Sequence, residues 1–491
     1  MSIWLYLAAS VGLAAAQAET GRDWAETLRV DATAIHDAVA SSHPGMVNPD
    51  DPSFSSTNET QYALALDRAR TARSFADYFF AIQHYTAAFD DGHLGFGVFG
   101  ATPDQVRAWP GFIAGDDGSR GLVVTRAEAW SGVSVGAHLK SCDGRDAFQI
   151  GKDRVGARFG RWELASQRAI FAAMVMLDTG DPYVAPIRHC VFDSEGGEVS
   201  IDLDWRTAEP GFFSRYKVFD SPPRQVTGMR RQDDGAYWIT LPTFNGNPES
   251  DDGRALEALL AEISAQADAL RHAPTIVFDL RGNGGGSSAW SARIAEAIWG
   301  AGAFEHAQEP PMTVVWRASE ANVQSLRHGL KKRDVNGNLS PGTREWYRAS
   351  IAGLEAAIAK GDDRWIIPPS VGDDPGNADA APYHPPVGKV FVLTDEACMS
   401  ACLDAVDLWG RLGATPIGHE TGADTIYMEV RDINVPSGLG QMSLPMKFYI
   451  GRARGHNQPV APVHRFEGDM NDTAVLETWV SGLAIEARDP N

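Results

Sequence analysis

Two apolar, β-branched runs in this chain each break at a turn and give way to a helical pattern, and the two breaks carry complementary chemistry. The first run, Thr275-Ile276-Val277-Phe278-Asp279-Leu280-Arg281, is followed by Gly282-Asn283-Gly284-Gly285-Gly286. The second, Val390-Phe391-Val392-Leu393-Thr394, is followed by Asp395-Glu396-Ala397-Cys398-Met399-Ser400-Ala401-Cys402. A strand-to-helix turn lets a short side chain stand clear of the backbone with the first N–H groups of the helix beside it. One turn therefore offers the Ser400 hydroxyl and the other offers bare amides. Together they are the two halves of an acyl-transfer site, provided the fold joins them.

Around these turns strands alternate with helices, which argues for an α/β sheet covered by helices. Gly235 to Leu241 reads as a strand, Leu256 to Leu270 as a helix, Thr275 to Leu280 as a strand, Ser287 to Trp299 as a helix and Lys389 to Leu393 as a strand. Ala321 to Lys360 has the pattern of a helical insertion, and Ile367 to Pro386 is a proline- and aspartate-rich loop of the length used for lids. Upstream, Asp23 to Phe89 is helical by apolar spacing and ends in the turn Asp90-Asp91-Gly92-His93-Leu94-Gly95-Phe96-Gly97. Trp109 to Trp205 changes to short β segments, among them Val199-Ser200-Ile201-Asp202-Leu203 with its half-buried alternation. Pro210 to Pro223 has linker composition. The resulting units are 1–18, 19–104, 105–208 and 220–491.

The chain carries 43 basic against 64 acidic residues, a net charge of −21, which disfavours nucleic acid and anionic membrane surfaces as partners. Met1 to Ala18 has no charge and ends in Ala16-Gln17-Ala18, the form of a secretory signal cleaved after Ala18. The expectation is a mature chain that is periplasmic or secreted and does not insert into a membrane. Four cysteines suit an oxidising compartment and permit three pairings. Cys142 and Cys190 share one module, while Cys398 and Cys402 bracket Ser400 and either pair or pack as small hydrophobes.

Each candidate group has a plainer reading beside the chemical one. The run Gly282 to Gly286 suits a phosphate loop, an oxyanion hole or a tight packing turn, although no G-K-[ST] follows it. Ser400 suits an N-cap as well as a nucleophile, and Cys398 and Cys402 stand where a G-x-S-x-G elbow has glycines. His93 suits a solvated loop histidine as well as a general base.

Taken together, these stretches resemble the S41 serine peptidases: C-terminal processing (tail-specific) proteases, tricorn-type proteases and interphotoreceptor retinoid-binding protein. Asp279 to Gly285 is similar to the D-L-R-x-N-x-G-G turn and falls one residue short at its glycine pair; Ser400-Ala401 is similar to the S-A nucleophile, and Gly418-His419-Glu420-Thr421-Gly422 to the G-x-x-T-G turn. The resemblance spans roughly 225–485, with Pro462-Val463-His464, Gly468-Asp469 and Asp472 similar to the closing segment. Val135 to Gly144 resembles a PDZ strand and turn. The implied fold is an α/β S41 core (ClpP/crotonase-like) with a small β-rich PDZ-like domain and an N-terminal helical segment. Such a module would bind an extended peptide by strand addition.

The resemblance implies a serine endopeptidase that needs no metal or organic cofactor and acts on peptide or protein substrates. The family's Ser-Lys dyad has no lysine in Thr421-Gly422-Ala423-Asp424-Thr425, which leaves Lys447 as the one remaining lysine considered for it. The tricorn-like branch takes its base from an N-terminal histidine, in a turn to which Asp91-Gly92-His93-Leu94 is similar. Ser400 as nucleophile, His93 as base, and the amides of Gly284 or Gly285 with Ala401 as oxyanion hole are the implied machinery. For the group that orients His93, Asn457, Glu467, Asp424 and Glu429 all remain open. Leu403 stands where many members have an acidic residue. A non-catalytic binder of apolar ligands and an esterase-like hydrolase are the alternatives on the same fold.

Overall fold

The computed structural model describes residues 21–100, 106–119, 121–216, 225–247, 249–307, 311–334, 339, 341–367 and 381–486. The expected signal at 1–18 lies outside the described residues, as do most of the 367–386 loop and much of the linker. Among the described residues no helix is long and apolar enough to cross a membrane.

The central sheet has six strands in the order Gly228–Arg231, Tyr237–Thr240, Thr275–Asp279, Lys389–Thr394, Thr415–Gly418 and His464–Arg465. The first pair is antiparallel and the rest are parallel. Parallel strands covered on both faces are apolar on both, and all five residues of Thr275–Asp279 are buried. The period of two then sorts them. Ile276, Phe278, Val390 and Val392 face a core with the helices Asp251–Ala265, Ala289–Trp299 and Ala401–Arg411, through Leu259, Ile294 and Trp409. Val277, Phe391 and Leu393 face the closing helix Thr473–Glu486 through Leu476 and Val480.

A second sheet is organised by the long strand Gly440–Ile450. It pairs antiparallel with Tyr427–Asn434, with Gly95–Val98 and with Thr313–Arg317, and Arg364–Ile367 joins the last of these. The N-terminal helices Trp24–Ser42, Ser53–Ala69 and Phe75–Ala87 pack on this sheet, Leu28, Tyr78 and Phe80 meeting Tyr427, Leu444 and Phe448 in one core. That packing carries the His93 turn, early in the sequence, onto the last quarter of the chain.

The β-rich unit is a five-strand antiparallel path, Phe112–Asp116, Leu122–Ala127, His138–Cys142, His189–Ser194 and Gly197–Asp202. Cys142 lies directly opposite Cys190 and is bonded to it. The helical insertion is the pair Glu320–Arg333 and Pro341–Lys360, packed on Trp316 and Met446.

Candidate active site

The glycine and serine turns leave the same end of neighbouring parallel strands, with Asp279 in register with Leu393. Leu280 N–H donates to Leu393 O at 2.9 Å and Met399 N–H to Asn283 O at 3.3 Å. Gly282 N–H donates to Asp395 Oδ2 at 2.8 Å. Within the first turn Asp279 and Arg281 are scaffolding. Arg281 Nε donates to Asp279 Oδ1 at 2.8 Å and Trp238 Nε1 to Asp279 Oδ2 at 3.0 Å, all buried. Asn283 is also buried, giving Nδ2–H to Leu241 O at 2.7 Å and accepting Gly285 N–H at 2.9 Å.

The backbone turns left-handed at Gly285 (φ 95°) and Gly286 (φ 137°), not at Gly284. The glycine pair of the turn is therefore Gly285-Gly286, and the motif is complete rather than one residue short. A Cβ on Gly285 would lie 2.6 Å from Met399 O, 2.7 Å from Ser400 Cβ and 2.9 Å from Ala401 N. Only a residue without Cβ lets the two turns close to that distance. Since the Gly285 amide is spent on Asn283, its N–H is not a free oxyanion donor; Gly286, next along, donates to no group among the described residues. Sequence reading missed Gly286, whose signal was the third glycine of the run.

Ser400 stands at the N-cap position of Ala401–Arg411 with φ 56° and ψ −126° and caps nothing. A non-glycine residue in this region costs roughly 1–3 kcal/mol and persists only where the surroundings enforce it. Here the Cys398–Cys402 disulfide spans the turn, with both cysteines fully buried beneath it. The pattern lacks G-x-S-x-G, yet the backbone is that of a strained strand-to-helix elbow, with the hydroxyl free of hydrogen bonds among the described residues. Ala401 N–H likewise donates to no described group. Asp404, one turn on, accepts from Ser288 Oγ at 2.6 Å and from Arg452 Nη2 at 2.5 Å, next to the buried Leu403.

His93 is buried, not a solvated loop residue. Its Nδ1 lies 2.8 Å from Tyr427 O, so Nδ1 carries the proton and donates to that carbonyl. Its Nε2 lies 3.6 Å from Asp424 Oδ1. Behind it, His43 Nε2 donates to Asp91 Oδ2 at 3.3 Å while His43 Nδ1 accepts Gly45 N–H, which makes His43 neutral. Burial holds the His43 imidazole below its ordinary pKa. Asp91 also accepts His93 N–H at 2.8 Å; burial pushes its carboxyl up, but the hydrogen bonds from His43 and from the His93 backbone bring it below the usual range. Burial pushes Asp424 up, opposed by His93, Arg454 and Arg452.

The 421–424 turn links the two sides. A Cβ on Gly422 would lie 2.4 Å from Met399 Cγ and 3.0 Å from Cys398 O, and Asp424 two residues on meets His93. Arg452 spans Asp404 and Asp424, at 2.5 and 4.0 Å. His93 and Ser400 thus share one region, and no hydrogen bond joins them among the described residues.

The remaining candidates separate clearly. Lys447 Nζ lies 3.4 Å from Glu429 and over the rings of Trp316 and Trp346, which engages both Lys447 and Glu429. Glu467 is exposed and paired with Arg465 at 3.2 Å. Asn457 donates its backbone N–H to Asp424 O at 2.7 Å and its Nδ2–H to Asp90 O at 2.8 Å, bracing the turns on either side of His93 rather than touching the ring. The carbonyl of Tyr427 was invisible to sequence reading, because a backbone atom has no residue signature.

No protein-family model and no curated protein matches the sequence. Among solved structures, mature CPAF is similar at a TM-score of 0.53 and 12% identity, over 90% of this chain and 92% of that one. Mature CPAF complexed with lactacystin gives 0.52 and 12%, over 94% and 98%. A serine-to-alanine mutant of CPAF gives 0.54 and 13%, over 94% and 96%. At such identities the likeness is one of fold, and the chain has the fold of mature CPAF.

Proposed function

We propose that the protein is an exported serine endopeptidase that cleaves peptide bonds through an acyl-enzyme. The observation that carries this reading is the strained, uncapped Ser400 packed directly on Gly285, with the amides of Ala401 and Gly286, unpaired among the described residues, nearby. Ser400 Oγ attacks the substrate carbonyl as His93 Nε2 takes its proton, and the carbonyl electrons move to oxygen, where these amides stabilise them. Collapse expels the amine, which recovers the proton from His93. Water then repeats the sequence and releases the acid. In the resting chain Nε2 leans toward Asp424, so the reaction requires it to turn to Ser400; catalytic contacts often tighten only with substrate. The Tyr427 carbonyl, bonded to Nδ1, takes the orienting place that a carboxylate has in a Ser-His-Asp triad.

Two disulfides support an oxidising, extracytoplasmic location. The β-rich unit at 105–208 is PDZ-like in this reading and presents an extended peptide to the site.

A serine-directed fluorophosphonate tests the reading, with peptide mapping and Ser400→Ala and His93→Ala variants alongside. Label on Ser400 that vanishes in both variants supports it. Absence of label on folded wild type sinks it in favour of a binding protein. Because CPAF has been captured with lactacystin, that compound is a second probe.

A further inference from the structure

We propose that Asp395 is a positioning residue that locks the glycine turn onto the serine turn, joining them when its carboxyl is ionised and releasing one of them when it is protonated. The inference deepens the reading of Ser400 as nucleophile and rests on it for its activity readout.

Asp395 follows the last residue of the Lys389–Thr394 strand and reaches in two directions. Oδ2 accepts Gly282 N–H at 2.8 Å and Oδ1 accepts Ala397 N–H at 3.0 Å. Gly282 opens the glycine turn, and Ala397 lies three residues before Ser400. The glycine turn has few side chains with which to hold itself, and its backbone is left-handed at Gly282, Gly285 and Gly286. A second direct tie from the serine turn, Met399 N–H to Asn283 O, is longer at 3.3 Å. The Asp395 carboxylate is therefore a short polar bridge between the two halves of the site.

A carboxylate accepts strongly at both oxygens, whereas in a carboxylic acid one oxygen becomes an O–H donor and a poor acceptor. Protonation places an O–H against one of the two N–H groups, so one bond is lost and either Gly282 or Ala397 is released. The surroundings bring that change into the neutral range. Glu396 beside it and Asp279 on the adjacent strand are of like sign. The cations that could offset them are engaged elsewhere: Arg281 on Asp279 at 2.8 Å, His419 Nδ1 on Glu396 at 2.7 Å, and Arg465 on Glu467 at 3.2 Å. Among the described residues no cation pairs with Asp395. Desolvation, with Glu396 and Asp279, pushes its carboxyl up to about 7 against the pull of the two amides.

Asp395→Asn is the permanent mimic of the protonated form, since its NH2 opposes one amide while its oxygen serves the other. Fluorophosphonate labelling rates at Ser400 should be measured for wild type and variant from about pH 5 to about pH 9. Whatever is common to the two proteins cancels in the ratio of their rates. The ratio should be near one at the acid end and rise with a midpoint near 7 to roughly ten-fold at the alkaline end. In parallel, hydrogen–deuterium exchange of the peptides holding Gly282 and Ala397, corrected for intrinsic rates, should quicken in wild type as pH falls and show no such step in the variant. A flat ratio with flat exchange overturns the proposal. If neither protein labels at any pH, the nucleophile reading fails and the exchange step alone decides the role of Asp395. If the variant does not fold, wild-type exchange across the same range decides it: a step near 7 supports the bridge and its absence refutes it.

Discussion

The serine side and the histidine side of the site are held in different ways. Ser400 and Gly285 end neighbouring parallel strands, and the two turns meet chiefly through backbone contacts. His93 is hung on Asp91 of its own turn and on groups from remote segments, with His43 under Asp91, Asp424 at its ring and the Tyr427 carbonyl fixing the tautomer. The first side inherits the rigidity of a sheet buried on both faces. The second depends on ionisable groups in a dry interior, where a lost partner leaves an uncompensated charge or donor. In overall stability the serine side should therefore be the more sensitive to steric insult and the histidine side to electrostatic insult, the Asp395 carboxylate being the one charged tie argued for the serine side.

The sharpest way to break this contrast is Asp91→Asn, which weakens the acceptor for His43 and His93 and removes a charge facing buried Arg161. Urea unfolding should show a loss of about 3–5 kcal/mol, as for removal of one partner from a buried pair. A loss under about 1 kcal/mol would mean that the histidine side is held by packing alone. On the other side, Gly285→Ala sets a Cβ against Met399 O at 2.6 Å in a left-handed backbone. It should cost about 1–3 kcal/mol and slow labelling of Ser400.

The pH dependence separates the sides further. The folded pKa of His43 is depressed by burial below its unfolded value of 6.5. On lowering pH through 6.5 the unfolded chain binds a proton that the folded chain refuses, so stability falls on the acid side, by up to about 1.4 kcal/mol per pH unit. Asp91, depressed by the His43 bond, is lost only lower still, below its unfolded value of 3.8. Urea melts across this range, on wild type and on His43→Phe, check the sign: the variant should lack the step that begins near 6.5. Smallest of all, Glu467→Ala should leave stability within about 0.5 kcal/mol and labelling within about two-fold, since that carboxylate is exposed and meets only Arg465. A large loss there would return Glu467 to the site.

How much could be read in advance follows the same division. The Thr275–Asp279 and Lys389–Thr394 strands, the turns after them and the Glu320–Arg333 and Pro341–Lys360 helices were legible, because periodicity and glycine content are local signals. The exact glycine pair was not, because left-handed φ at Gly285 and Gly286 is set by contact with Met399 and Phe244 rather than by neighbours in sequence. The orienting group for His93 was not legible either. Asn457, Glu467, Asp424 and Glu429 all had suitable chemistry, and what orients Nδ1 is a carbonyl oxygen that every residue possesses.

By itself the sequence determined the covered α/β sheet, the presence of a hydroxyl turn and a glycine turn each after a buried strand, and the lack of a lysine in the 421–425 turn, since each is written in residue type and short-range pattern. Tertiary structure alone decided that Ser400 is strained and uncapped, that Gly285 spends its amide on Asn283, and that Lys447 is engaged by Glu429 and tryptophan rings. It also brought His93 beside Asp424, 331 positions later in the numbering. Such pairings depend on which strands lie side by side and on the burial that follows, and neither is a property of any short stretch of chain.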